Sequence, residues 1–329
     1  MPIAFHSHYP APRIAAAILA VVVLASAACT RAEDGIVLTP KRVSEHVWFF
    51  QGDAGPASAA NKGFMSNAGF VVTGDGVVAF DALGTPALGR AMIAAIGKVT
   101  KAPIRRVIVS HYHADHIYGL QEFRKAGAEI WAHRNAQLYL ASDVAIRRLE
   151  QRRAELYPWV DENTRVIPPD IWLDGDTDFR MGGVTFRLLY SGGAHSPEDL
   201  LMLVVDDRVL FAGDLIYAGR LPFVGTSDSR SWQKALGEMV SLRPAHVVPG
   251  HGPASSDVER DLATTRDYLA YLREAMGRAV KDFEPFEDAY AKTDWSRYAA
   301  LPAFAEANRI NAYGTYLLME QEELARAKD

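Results

Sequence analysis

The run VIVSHYHADHIYG at 108–120 limits what this 329-residue chain can become more than any other feature. It places His111, His113, Asp115 and His116 directly behind a series of β-branched residues, so a strand must end where these side chains begin. Histidine offers a neutral ring nitrogen to metals, and two histidines at i and i+2 on a loop leaving a strand can address one cation. Asp115 and His116, one step further on, can reach a second cation beside the first. A chain that crowds donors this way is expected to bind metal at that strand end.

Further donors close later strand-like runs: His195 in YSGGAHSPEDL, Asp214 in VLFAGDLIY and His251 in HVVPGHGP. Nearby glycines let backbone approach a site closely. Four strand ends are thus expected to converge on one edge.

The surrounding pattern supplies those strands. RVSEHVWFF (42–50) reads as a strand, and 64–83 reads as a hairpin turning at Gly74-Asp75-Gly76. Thr85-Pro86 starts a helix whose apolar face is Leu88, Met92, Ile93 and Ile96. A strand at 104–110, a short helix from Ile117 to Lys125 and a strand at 128–133 follow, and then an Arg/Glu-rich helical stretch at 135–157. That stretch falls outside the strand-helix rhythm and reads as an inserted lid, assigned to 135–168. Hairpins at 177–190 and 199–214, a helix at 231–242, a strand at 245–250 and a helix at 257–281 complete the second half. In the last helix Val258, Leu262, Thr265, Leu269, Leu272, Met276 and Val280 form a core-facing stripe. Two strand clusters, each closed by helices, predict an α/β fold of two sheets back to back with helices outside. The main domain is assigned to 42–285 and a C-terminal helical extension to 286–329.

Residues 14–28 are an unbroken apolar and small-residue run, too short to span a bilayer and of the length of a signal-peptide core. The reading is a signal peptide at 1–28, with Ala25 and Ala27 as a cleavage site, then a linker at 29–41 and a periplasmic or secreted protein. Cys29, the single cysteine, is an acylation site in the alternative of a lipoprotein, the one route by which a membrane would be a partner. A lone cysteine at the terminus provides neither a disulfide framework nor a catalytic thiol. With a net charge of −5 and no basic stripe interleaved with aromatics, nucleic acid is not an expected partner, and a small-molecule substrate is.

The pattern H-x-H-x-D-H, then His, Asp and His, at 111, 113, 115, 116, 195, 214 and 251, resembles the metallo-β-lactamase superfamily. The resemblance implies a four-layer αββα sandwich with a helical insertion. It also implies that His111, His113 and His195 hold a first metal, that Asp115, His116 and His251 hold a second, and that Asp214 bridges them. Two Zn2+ are the expected cofactors, with iron or manganese as alternatives, and a metal-bridging hydroxide is the implied nucleophile. Asp115 is then the orienting base and Asp81 a support for a ligand histidine. The implied reaction is hydrolysis of an ester, thioester, lactone or amide.

Glyoxalase II shares the seven-donor pattern, and the segments SNAGFVVTGDGVVAFD and HSPEDL are similar to exported zinc metallohydrolases of quinoprotein relay and sulfur-oxidation systems. True metallo-β-lactamases carry Cys or Ser where this chain has Asp214. The alternatives are β-lactamase-type activity, a mononuclear iron persulfide dioxygenase, and a non-enzymatic periplasmic accessory protein with a redox partner. Tyr217, Arg220 and Phe223 are candidate substrate contacts, with a solvated arginine as the default for Arg220. Tyr139, Tyr157 and Trp159 are candidate lid residues.

Overall fold

The computed structural model describes residue 1 and residues 35–327; the expected signal segment, its expected cleavage site and Cys29 lie outside the described residues. The first sheet begins with β1 (Lys41–Arg42), β2 (Val47–Phe50), β3 (Ala68–Thr73) and β4 (Gly76–Phe80), each antiparallel to the one before. Helix α1 (Pro86–Val99) carries the chain over the sheet face, so that β5 (Ile104–Ile108) enters parallel to β4. Thr85 caps α1 by accepting from the amide of Leu88, with Pro86 in the first turn. After α2 (Ala114–Ile117) and α3 (Leu120–Lys125), β6 (Glu129–His133) pairs with β5. Helices α4 (Ala136–Leu140) and α5 (Asp143–Leu156) then precede β7 (Ile171–Leu173), which closes a seven-stranded sheet.

The second sheet is a meander of β8 (Thr177–Met181), β9 (Val184–Tyr190), β10 (Leu200–Val204) and β11 (Val209–Tyr217). Helix α6 (Ser229–Ser241) leads to β12 (His246–His251), which lies parallel to β11 as the fifth strand. Helices α7 (Val258–Lys281), α8 (Phe286–Lys292) and α9 (Phe304–Arg326) follow. Among the described residues, no helix is long and apolar enough to cross a membrane.

Strand alternation decides which layer each side chain enters. Val71, Val78, Phe80 and Ile108 point between the sheets and meet Phe186, Leu188, Met202 and Phe211, with Phe80 and Phe211 stacked at 5.2 Å. Their neighbours Phe70, Ala79 and Val107 face outward against Leu88, Met92, Ile96 and Phe123. On the far side Leu201, Leu210 and Ala212 pack against Trp232, Leu236, Leu269, Leu272 and Met276. Each such Val, Leu, Ile, Phe or Met side chain contributes about 1.5–3 kcal/mol on burial, and the sum holds two sheets and their helices in four layers. Leu262, Leu269, Leu272 and Met276 of the expected α7 stripe are core residues.

Several local expectations are corrected. The segment 42–50 is a tight hairpin of β1 and β2 and not one strand, because Asp207 gathers its turn: it accepts from the Ser44 hydroxyl, from the His46 amide at 2.9 Å and from His46 Nδ1 at 2.7 Å. The helix expected from Ile117 starts at Ala114 and breaks at Gly119, where a Cβ would lie 1.9 Å from the Ala82 carbonyl oxygen. Strand β11 runs three residues beyond Asp214, with a register shift at Gly213. The inserted stretch is helical only to Leu156, and β7 was not anticipated because three residues are too few to show a period.

Helix α9 is held to its neighbours by Glu322, which accepts from Arg273 on α7 at 2.8 and 3.0 Å and from Arg230 on α6 at 2.5 Å. The Arg273 hydrogen bonds keep the Glu322 carboxyl below the usual glutamate range. A depressed carboxyl adds stability above its unfolded pKa and loses it as pH falls through the folded value. Glu322→Gln is therefore expected to cost about 1 kcal/mol at pH 7, with the difference fading in acid. Urea denaturation of both proteins at pH 7 and pH 3 measures this, and a deficit that persists at pH 3 would refute it.

Candidate metal centre

The seven donors named from sequence meet at one end of the two sheets. The loop after β5 brings His111 and His113, α2 brings Asp115 and His116, and the β9–β10 loop brings His195. Asp214 comes from β11 beside its bulge, and His251 ends β12. In this arrangement His111, His113, His195 and Asp214 form one group and Asp115, His116 and His251 another, the donor atoms of each lying within 4.8 Å of one another.

Hydrogen bonds on the outer ring nitrogens decide which lone pairs face inward. The Ser110 hydroxyl donates to Asp81 at 2.8 Å and so accepts from His111 Nδ1 at 2.9 Å. Asp81 also accepts from the Ser110 amide and from His116 Nδ1, both at 2.8 Å. Nδ1 of His251 donates to the Met65 carbonyl at 2.7 Å. Each ring is therefore turned with Nε2 toward the centre. Nε2 of His111, Nε2 of His116 and Oδ1 of Asp214 are buried without a hydrogen-bond partner among the described residues.

Those inward atoms have the spacing of a coordination shell. In the first group His113 Nδ1 and His195 Nε2 are 2.9 Å apart, and Asp214 Oδ2 lies 3.5 Å from His195 Nε2 and 3.8 Å from His111 Nε2. In the second, Asp115 Oδ2 lies 3.6 Å from His116 Nε2 and 3.4 Å from His251 Nε2. Asp214 Oδ1 is 3.0 and 3.2 Å from the same two nitrogens. A tetrahedral ion with bonds of about 2.1 Å separates its ligands by roughly 3.4 Å, so both groups fit a divalent cation. The Asp214 carboxylate thus lies between the groups, with Oδ1 toward the second and Oδ2 shared, 3.3 Å from His251 Nε2 as well as near the first.

Electrostatics agree with that fit. Burial pushes His113 down to about 4, His195 to about 3 and His111 well below its ordinary value, so these rings are uncharged at neutral pH and each keeps one nitrogen lone pair for a metal. Burial also opposes charge on His116, but Asp214, Asp115 and Asp81 outweigh it and hold the ring well above the usual range. A cation bound there displaces a proton.

Sequence reading missed the braces around the donors. Asn67 accepts from the Gly52 amide and donates to the carbonyls of Pro249 and Gly252, clamping the His251 turn. Asp199 accepts from the amides of Ala194 and Ser196 and from the Ser196 hydroxyl, shaping the His195 loop. Gly250 is required because a Cβ there would sit 2.1 Å from Asp214 Oδ1. HSPEDL and VVPGHG carried these signals as polar and glycine residues flanking a donor.

The candidate substrate contacts separate. Tyr217 is buried, stacks on His251 at 4.8 Å and donates to Asp214 Oδ2 at 2.5 Å, which leaves it no surface for a substrate and makes it a support of Asp214. Arg220 is buried, not solvated. Phe223 stays partly exposed, its ring 6.4 Å from that of His113. Of the lid candidates, Tyr139 packs into the first helical layer, Trp159 donates to the Ala59 carbonyl and Tyr157 points to solvent.

Two sheets between helical layers, with a paired His/Asp centre at one end, are the architecture and donor set of a metal-dependent hydrolase. The model of the metallo-beta-lactamase superfamily matches residues 61–251, and the chain belongs to that superfamily. It is 26% identical over 214 residues to the probable metallo-hydrolase YqgX of Bacillus subtilis, an alignment covering 63% of this chain and 92% of that protein. It is 25% identical over 221 residues to a linear primary-alkylsulfatase of a Pseudomonas species, covering 56% of this chain and 42% of the relative, so it spans less than half of that protein's length. The solved sec-alkylsulfatase Pisa1 from Pseudomonas has the same fold over 85% of this chain and 50% of its own, with a TM-score of 0.67 and 17% identity.

Asp81 orients both His111, through Ser110, and His116. Asp81→Asn cannot accept from every donor and is expected to weaken metal binding by about 10- to 100-fold. Competition with a colorimetric chelator measures the affinity, and an unchanged value would show that Asp81 does not orient the ligands.

Proposed function

We propose that the chain is an exported binuclear zinc hydrolase that cleaves an ester, thioester, lactone or amide bond of a small molecule in the periplasm or outside the cell. The observation that carries this reading is the carboxylate of Asp214, set between the donor groups within 3.5 Å of His195, His116 and His251 Nε2. His111, His113 and His195 would hold one cation, Asp115, His116 and His251 the other. Two cations so held supply a Lewis acid for the substrate's oxygen and lower the pKa of an attacking water.

The chain's own groups do the rest. The Asp115 side chain is 14% exposed against 3% for Asp214, so it is the carboxylate that can meet water and substrate. Burial raises its pKa, but His116 and His251 outweigh burial and keep it ionised, able to take a proton. Asp115→Ala is expected to lower turnover by about 10²-fold or more with the circular dichroism spectrum unchanged. Retained hydrolysis would remove Asp115 from the mechanism.

Sulfate-ester cleavage is the second reading, favoured by the sequence likeness to an alkylsulfatase. The iron dioxygenase is disfavoured by the complete second donor group. Elemental analysis of protein purified without added metal or chelator is expected to give two zinc per chain, and dialysis against a chelator to abolish hydrolysis of a panel of lactones, thioesters and sulfate esters. One iron per chain with oxygen uptake on persulfides would overturn the hydrolase.

A further inference from the structure

We infer that Glu198 is a positioning residue that locks the loop carrying His111 and His113, from the first sheet, onto the loop carrying His195, from the second; its consequence for metal binding rests on the two-cation centre proposed above. Glu198 precedes β10 by two residues and is buried. Its Oε1 accepts from the amide of Tyr112 at 3.0 Å, and Tyr112 stands between the two histidines. Two residues on, the Leu200 amide donates to the Ser110 carbonyl at 2.9 Å. One stretch of the second sheet therefore grips the first-sheet loop at 110 and at 112, with His111 between the two bonds. A buried amide outside a strand ladder needs such a partner, and Glu198 provides it from 86 residues away.

The acceptor is aimed before any cation arrives. The Pro197 carbonyl takes hydrogen bonds from Asn135 Nδ2 at 3.1 Å and from the Tyr190 hydroxyl at 3.0 Å, while Asp199 accepts from the amides of Ala194 and Ser196. Glu198 lies between these two anchored residues. Across the contact, the Tyr112 ring is buried and its hydroxyl donates to the Ile167 carbonyl at 2.9 Å. The loops so joined put His113 Nδ1 2.9 Å from His195 Nε2, an approach between sheets that a slip of about 1 Å would spoil. Glu198 Oε2 has no hydrogen-bond partner among the described residues, and burial raises the pKa of the carboxyl. An apolar side chain would fill the same space without that desolvation but would leave the Tyr112 amide unpaired. The second donor group has its own ties: Ser66 holds the Asp115 carbonyl, Asp81 holds His116, and the Met65 carbonyl holds His251. Loss of Glu198 therefore falls on the first group.

The test is titration of metal-free wild type, Glu198→Ala, Glu198→Asp and Glu198→Gln with Co2+, followed by visible absorption, with circular dichroism as the check on folding. The absorption band missing from His195→Ala marks the first group. Cobalt affinity of that group is expected to fall about tenfold or more in the alanine and aspartate variants, the shorter acid no longer reaching the amide, while the second group stays within about twofold. Glutamine keeps an acceptor oxygen and is expected to restore the wild-type spectrum. Amide hydrogen exchange at Tyr112 in the metal-free proteins should quicken about tenfold or more in the alanine and aspartate variants and stay unchanged in the glutamine one. Unchanged first-group affinity in either folded short variant overturns the inference, as does an equal loss at both groups. Uptake of a single cation by wild type, with Tyr112 exchange still governed by Glu198, would remove the binuclear centre and leave the brace standing.

Discussion

The centre depends on one buried carboxylate. Asp81 sits where β4 ends, with a backbone φ of 60° that few side chains tolerate, and its two oxygens take the amide and hydroxyl of Ser110 and the ring of His116. Through Ser110 it also sets His111. Both rings are thereby turned with Nε2 inward before any cation arrives, which is the preorganisation that tight metal binding requires. Burial alone pushes the Asp81 carboxyl up, and His116 and Ser110 pull against it.

Around that carboxylate the fold works as a set of clamps joining the two sheets. Ser66 donates to the Asp115 carbonyl at 2.6 Å, and Asn67 reaches from the start of β3 to the turn holding His251. The Ser227 hydroxyl donates to the His195 carbonyl, while the Trp232 ring packs edge-on against His195 at 5.0 Å. The His251 turn is thus tied to the first half of the chain by bonds whose partners lie up to 186 residues apart. A change in either sheet is therefore expected to reach the donor groups. The C-terminal helix belongs to this scheme, because Asn311 shapes the loop that carries Arg220 and Phe223.

Much of this was readable in the residue order, and the failures are instructive. The cap at Thr85, the hairpin turns at Gly74-Asp75 and Gly182-Gly183 and the α7 stripe are local signals, where a few neighbours decide the outcome. The hairpin at 41–50 was misread because its turn is held by Asp207, far away in sequence. The break at Gly119 answers to Ala82, and β7 exists because β6 offers it an edge. Tyr217 looked like a substrate contact because it follows Asp214 closely; burial behind that carboxylate gave it another task.

The sequence by itself determined the chemistry: seven donors after strand-like runs, with glycines beside them, in a chain with enough alternating apolar residues for two sheets. Donor identity and strand period are properties of single residues and near neighbours, so they survive without coordinates. Only the tertiary structure decided which nitrogen of His111 and His116 faces inward, that the Asp214 carboxylate lies between both groups, and that Arg220 is buried. Those outcomes depend on hydrogen bonds and burial set by the packing of two sheets, and no pattern along one strand encodes them.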